Sequence, residues 1–326
     1  MSDVPALTIE GLTTHFATRT GTVRAVDNVD LTIPRGRIVG VVGESGSGKS
    51  ALMASILRLV DPPGRVISGR ILLGDRDLSH ASEAEMRPIR GRQIAAVFQD
   101  PTAALNPVLR IDTQMIETLQ AHGAFDRTEA RDRSVAALER VGITAPHERL
   151  LSYPHQLSGG MRQRIAIAMA MLHAPDVILA DEPTTALDVT VQEQILHEVR
   201  ALCERTGTSV LWITHDFSVV AALADFICVM YAGQIVERGT SEALLRQPMH
   251  PYTQGLLRSI PANHKRGEAL FQIPGGGGSI IGRPTGCSFR LRCERADPAC
   301  EKELQTVLLP GGRSVRCAHP LKASAV

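Results

Sequence analysis

The sequence predicts an α/β fold built on a mostly parallel core sheet, and three observations predict it. Residues 37–43 read as a compact buried strand running into the glycine-rich loop GESGSGKS at 43–50, and the Ala-, Leu- and Met-rich stretch 49–60 reads as the helix that follows. Apolar runs of strand length recur at 176–180 and 209–214, separated by a helix-like stretch over 191–206. Strands and helices that alternate in this way give a parallel sheet with helices on its faces. At 326 residues the chain can bury one large core and a smaller satellite, which makes about two domains the expectation.

Taken in order, residues 7–33 alternate apolar and polar with Gly11, Gly21 and Asp27-Asn28 as punctuation, which predicts short antiparallel strands. Over 111–141 the period turns helical, interrupted at Gly123, with Asp126 an N-cap; this predicts a helical insert. Pro154 and Gly159-Gly160 bracket a short link, and 161–172 has the apolar spacing of a buried helix. Gly233-Gln234 reads as a hairpin turn and 240–246 as a short helix. Composition then changes: the run Gly275 to Gly278 and Pro274, Pro284, Pro298 and Pro310 mark an irregular tail whose order needs an added constraint. No repeat of 20 to 50 residues is evident.

Composition narrows the function classes. Lys+Arg 35 against Asp+Glu 34 leaves a net charge of +1, with no long block of like charge, so nucleic acid is not the expected partner. Aromatics at 3% leave little material for base stacking. The longest apolar stretch, 217–232, is broken by Asp225 and falls short of the roughly 18 to 20 residues that span a bilayer. The N-terminus has neither a basic n-region nor an apolar h-region, so a cytoplasmic location is expected. Six cysteines in a reducing compartment are rarely disulfides, and four of them cluster near the C-terminus, which favours metal or cluster ligation.

Three motifs carry chemistry. In the 43–50 loop, Gly43, Gly46 and Gly48 with Ser45 and Ser47 let successive backbone N–H groups turn inward on phosphates, and the helix start adds its positive end. Lys49 is expected to reach the β- and γ-phosphates of ATP and Ser50 to ligate Mg²⁺. The apolar run 177–180 ends in Asp181 and Glu182: Asp181 to hold the metal directly or through water, Glu182 to polarise the attacking water. The bland alternative there is helix capping by one of the acids. Leu157-Ser158-Gly159-Gly160-Met161-Arg162-Gln163 opens a helix with Ser158 and the N–H groups of Gly159 and Gly160, a ready anion site that is otherwise an ordinary serine N-cap.

These motifs, in their order along the chain (43–50, 157–163, 177–182), resemble the ATP-binding subunits of ABC transporters, whose signature reads LSGGQ; Met161 stands here for the usual Gln. The resemblance covers about residues 6–240. It implies a P-loop ATPase domain with an antiparallel β subdomain and a helical subdomain, closing head to tail with a second ABC ATPase subunit around ATP. It further implies that Ser158, Gly159 and Gly160 contact the γ-phosphate of ATP held by the partner's loop. Gln99 matches the Q-loop that senses Mg²⁺ and water, Asp188 the D-loop that touches the opposite subunit, and His215 the switch histidine that orients the γ-phosphate. By analogy with the A-loop, Phe16 is the adenine-stacking aromatic; Val23 or Arg24 supplying part of that platform, or plain strand packing of Phe16, remain the other readings.

His250-Pro251-Tyr252-Thr253 and the run after it look like the HPYT segment of the oligopeptide and dipeptide importer ATPases, a branch that includes nickel importers. Cys287, Cys293, Cys300 and Cys317 have C-x5-C-x6-C-x16-C spacing, a poor match to tight zinc knuckles. Taken alone they leave an iron–sulfur cluster, zinc or free thiols open. The resemblance implies a [4Fe–4S] cluster, with Arg290, Arg292 and Arg295 offsetting its negative charge. Cys203 and Cys228 read as core residues.

The expected organisation is an ABC ATPase domain over 1–240, its helical subdomain about 100–172, and a C-terminal extension of the oligopeptide/dipeptide type over 241–326 that carries the four cysteines. The expected function is that of an ATP-hydrolysing subunit, peripheral on the cytoplasmic face of the cell membrane, that powers uptake of di- or oligopeptides through two separate transmembrane permease subunits. A second ATPase subunit, different or identical, and an extracytoplasmic solute-binding protein complete the partners. The alternatives are a nickel or other small-solute importer of the same branch, a soluble ABC ATPase acting on ribosomes or DNA, and an electron-transfer module built on the cysteine tail.

Overall fold

The computed structural model describes residues 4–19, 21–100, 104–185, 187–261, 264, 271–276 and 285–321. Gly277, Gly278 and Pro284 of the expected irregular tail lie outside them. The chain divides into two compact units, one of Met1–Ala6, Ile33–Ile38 and His80–Leu211, the other of Leu7–Thr32, Val39–Ser79 and Trp212–Val326. In chain order the described strands are β1 (Leu7–Thr18), β2 (Gly21–Ile33), β3 (Ile38–Val42), β4 (Gly64–Leu73), β5 (Arg76–Asp77) and β6 (Ile94–Val97). They continue with β7 (Val177–Asp181), β8 (Ser209–Thr214), β9 (Phe226–Tyr231), β10 (Gln234–Thr240), β11 (Val307–Leu309) and β12 (Arg313–Val315).

In the second unit β1, β2, β4 and β5 form an antiparallel sheet in the order β2-β1-β4-β5. Alternation over 7–33 predicted short antiparallel strands there; β1 and β2 are 12 and 13 residues long, running through Gly11 and Asp27-Asn28, and β4 and β5 lie beyond that stretch. β1 buries Leu7, Ile9 and Leu12 and β2 buries Val29, Leu31 and Ile33. The remaining strands of that unit run β11-β12-β10-β9-β3. β3, buried along its whole length, lies parallel to β9 in the register Val39↔Phe226 to Val42↔Val229. A turn joins β9 and β10 as an antiparallel pair one residue earlier than the expected Gly233-Gln234, at Ala232-Gly233, with Gln234 already paired to Tyr231.

In the first unit β6 and β7 pair in parallel, Ile94↔Val177 to Val97↔Ala180. Helices Ile111–Gln120 and Arg127–Arg140 form the predicted insert, and Asp126 accepts from the N–H groups of Thr128 and Glu129 at 2.8 and 2.9 Å. Ile116, Leu119 and Ala130 make a small core there, with Phe125 and Leu172 packed on it. Helix Gly159–Ala170 begins two residues earlier than its apolar pattern, because Ser158 caps it. The helix after the glycine loop ends at Ile56 rather than near 60. Arg58 has turned to the left-handed φ of 53°, and Pro62 and Pro63 follow, neither of which can continue a helix.

The tail departs from expectation. It was expected to be irregular, yet β12 adds to the edge of β10, Glu237↔Val315 and Arg238↔Ser314, and β11 adds to β12. The constraint that orders it is long-range. Glu237, 1% exposed, accepts from the N–H groups of Met249 and His250 at 2.8 Å each and from Arg313 at 3.3 Å. A buried carboxylate with several donors is stable only while they stay in place, and each orphaned group would cost about 1–3 kcal/mol. The short-range pattern of a Gly- and Pro-rich tail carries no trace of this.

Candidate nucleotide-binding site

The loop at 43–50 is closed in by backbone at Gly43 and Gly48 and open at Gly46. A Cβ at Gly43 would stand 2.1 Å from the Met230 carbonyl oxygen, and one at Gly48, where φ is +104°, would stand 2.0 Å from that of Ala25. Only glycine fits either position. Lys49 opens helix Lys49–Ile56 and is 5% exposed. Its Nζ donates to the carbonyl oxygens of Gly43 at 2.8 Å and Glu44 at 3.0 Å and lies 3.4 Å from the Ser47 hydroxyl. A buried ammonium on a strand-to-helix turn is a phosphate-gripping device, and Ser50, the expected metal ligand, is exposed. His215 is exposed just after β8 and precedes Asp216, which caps helix Phe217–Leu223. Phe16 lies on β1 opposite Gly64, with its ring filling the space a Cβ at Gly64 would need.

In the first unit, β7 ends on Asp181, which is 6% exposed, and the chain then turns through Glu182 at a φ of 47°. A left-handed conformation is uncommon for a residue with a side chain and marks a position where geometry overrides local preference. The Glu182 carboxylate accepts from Gln99 Nε2 at 3.3 Å and from the Thr185 hydroxyl at 3.1 Å. Gln99 and Glu182, 83 residues apart, are thus brought together. Thr185 was not picked out by the sequence reading, and its only signal was its place three residues after Glu182.

Ser158 caps helix Gly159–Ala170, accepting from Met161 N–H at 3.2 Å. Ser158 is exposed, and a Cβ at Gly159 would meet nothing within 4 Å. The first N–H groups of a helix lack partners within it, so this end presents donors and a positive dipole outward. Asp188 caps helix Val189–Thr206, accepting from Val191 N–H at 2.9 Å.

The four C-terminal cysteines converge. Cys287, Cys293, Cys300 and Cys317 are free thiols lining one small cavity, with His250, Phe289, Arg290, Arg295 and His319 on its walls. Burial holds the thiols of Cys287 and Cys293 above the ordinary range and pushes that of Cys317 up to about 11. Four soft donors with cationic side chains on the walls suit a thiolate-ligated metal group, whose charge reverses that upward push. Asp297 and His319 stand beside Cys300, their ligand atoms within 4.8 Å of one another. One expectation needs correcting: Arg292, assigned to offset cluster charge, is instead committed to Glu44 of the glycine loop, at 2.6 and 2.9 Å. Together with Tyr252, whose hydroxyl accepts the Glu44 N–H at 2.9 Å, it escaped the sequence reading because nothing local links positions 208 and 248 residues apart.

Comparison with known proteins agrees with these motifs. The sequence matches the ABC transporter family over residues 26–185 and the oligopeptide/dipeptide transporter C-terminal region over residues 236–300. It is 42% identical to the dipeptide transport ATP-binding protein DppD of Escherichia coli (strain K12), over 97% of each chain. To the oligopeptide transport ATP-binding protein AppD of Bacillus subtilis (strain 168) it is 44% identical over 95% of each. Among solved structures, the dimeric post-hydrolysis state of the ATP-binding cassette MJ0796, bound to ADP and Pi, matches with a TM-score of 0.66 at 30% identity, covering 72% of this chain and 98% of that one. No helix among the described residues is long and apolar enough to cross a membrane. The chain belongs to the ABC transporter family, in the branch that carries the oligopeptide/dipeptide C-terminal region, and is an ATP-hydrolysing subunit of it.

Proposed function

We propose that this subunit powers the import of di- or oligopeptides through two separate membrane permease subunits, bound at the cytoplasmic face of the membrane. Its full-length likeness to dipeptide and oligopeptide transport ATP-binding proteins carries the reading. The ATPase domain is 1–240, with its helical subdomain about 100–172, and the extension is 241–326. Gly43 to Ser50 hold ATP, Lys49 neutralises the β- and γ-phosphates, and Phe16 stacks on adenine. Ser50, Asp181 and Gln99 hold Mg²⁺, which supplies positive charge to the phosphates. Glu182 takes a proton from the attacking water, and Gln99, hydrogen-bonded to the same carboxylate, orients that water. His215 donates to the γ-phosphate. Ser158, Gly159, Gly160 and Asp188 serve the ATP of a second ATPase subunit, different or identical, whose own signature seals this chain's ATP. The solute-binding protein acts on the assembly from outside.

Cys287, Cys293, Cys300 and Cys317 hold a [4Fe–4S] cluster; the convergence of all four on one cavity supports this. Brown protein with absorbance near 400 nm after anaerobic purification is expected, and a zinc-only metal content overturns it. For the transport reading, the chain reconstituted with its permeases and second ATPase should hydrolyse ATP faster when the receptor carries a peptide. A response to nickel chelates alone, with none to peptides, overturns the peptide assignment.

A further inference from the structure

The glycine loop is held from outside as well as from within. Glu44, its second residue, has every polar group engaged. The N–H donates to Tyr252 Oη at 2.9 Å, and the carboxylate takes both arms of Arg292, Nη1 to Oε2 at 2.6 Å and Nη2 to Oε1 at 2.9 Å. The carbonyl oxygen accepts from Lys49 Nζ at 3.0 Å and from Ser47 N–H at 3.2 Å.

Tyr252 and Arg292 both belong to the C-terminal extension, and both are fixed before they reach the loop. Tyr252 is fully buried and the Arg292 side chain is 8% exposed. Arg292 also donates to the Pro274 carbonyl oxygen at 2.6 Å and to Tyr231 Oη at 3.4 Å. The rings of Tyr231, Tyr252 and Phe289 pack on one another with centroids 4.6 to 5.3 Å apart. A shielded bidentate pair fixes orientation as well as distance, which a single surface contact does not.

We propose that Tyr252 and Arg292 are positioning residues for ATP binding. They set the Glu44 peptide, and through its carbonyl they set where Lys49 Nζ rests. The loop therefore meets phosphate already ordered, and its affinity depends on the extension. Binding to a preorganised loop loses less conformational freedom, so loosening Glu44 weakens binding while leaving the water-activating carboxylate alone. The inference rests on the reading that residues 43–50 bind ATP.

The test titrates the full chain with Mg²⁺ and a fluorescent N-methylanthraniloyl-ATP, comparing wild type with Arg292→Gln, Glu44→Gln, the double variant and Tyr252→Phe. Arg292→Gln and Glu44→Gln should each weaken binding about tenfold, with the double variant no worse than either alone. For Arg292→Gln, KM for ATP should rise in proportion while kcat stays within about twofold. Tyr252→Phe, which removes one oxygen, should weaken binding about threefold and carries the test if Arg292→Gln does not fold. Wild-type affinity in the folded variants, even with a lowered Tm, overturns the proposal by leaving only a structural role. Failure of the wild-type chain itself to bind the analogue overturns instead the nucleotide reading beneath it.

Discussion

Lys49 is 5% exposed and donates to carbonyls of its own loop, whereas Ser158 is exposed and its hydroxyl accepts from the N–H of Met161. The Cβ positions of Gly43 and Gly48 are closed off by backbone oxygens near 2 Å, and that of Gly159 meets nothing within 4 Å. Both regions set backbone N–H groups beside glycines at a helix start; Gly43 and Gly48 of the first are closed in by backbone and Gly46 is open, whereas in the second Gly159 is open and a Cβ at Gly160 would meet only the Leu187 side chain, at 3.2 Å, among the described residues. A loop closed in this way can grip phosphate without help. An exposed helix start has donors and dipole turned outward, as expected of half a site whose other half lies on another molecule.

That contrast can be broken or sharpened by substitution. The largest effect expected is from Glu182→Gln, which should slow hydrolysis about 1,000-fold while an ATP-bound assembly accumulates in size-exclusion chromatography; undiminished turnover removes Glu182 from catalysis. Lys49→Ala should weaken analogue binding to the isolated chain about 100-fold or more, since no second buried cation is described on the loop. Gly159→Asp should cut hydrolysis by the assembled ATPase about 100-fold by setting a carboxylate against the neighbour's γ-phosphate. Its fold should survive, because the added side chain has open space and an acid in the first helical turn is favourable; a Tm at or above wild type in calorimetry checks this. Ser158→Ala is the mildest, expected to remove one cap and about 1 kcal/mol of stability, read from denaturant unfolding.

What the sequence disclosed follows the same division between local and distant. The glycine loop was legible because eight consecutive residues hold all of its inward-facing chemistry, and Asp126 and Asp181-Glu182 were legible from their place beside a periodic run. The partnership of Gln99 with Glu182 needed the parallel pairing of β6 and β7, which sets the ends of two distant strands side by side. The tail was illegible: β12 pairs with an edge some 75 residues earlier, and Glu237, Tyr252 and Arg292 act on groups that no window contains. The four cysteines pointed to ligation by clustering near the C-terminus, but Arg292 among them serves the glycine loop. Charge among the ligands was therefore a poor guide to what that arginine does.

The central claim is that one chain binds ATP on its own glycine loop and lends its helix start to the ATP of another. Titrating isolated Gly159→Asp, kept below the concentration at which chains associate, with the fluorescent ATP analogue tests this most directly. The claim predicts a Kd within about twofold of wild type, because the new carboxylate faces no phosphate held by its own chain. A Kd weakened about tenfold or more would mean that Ser158 to Gly160 grip the same chain's ATP, and would contradict it.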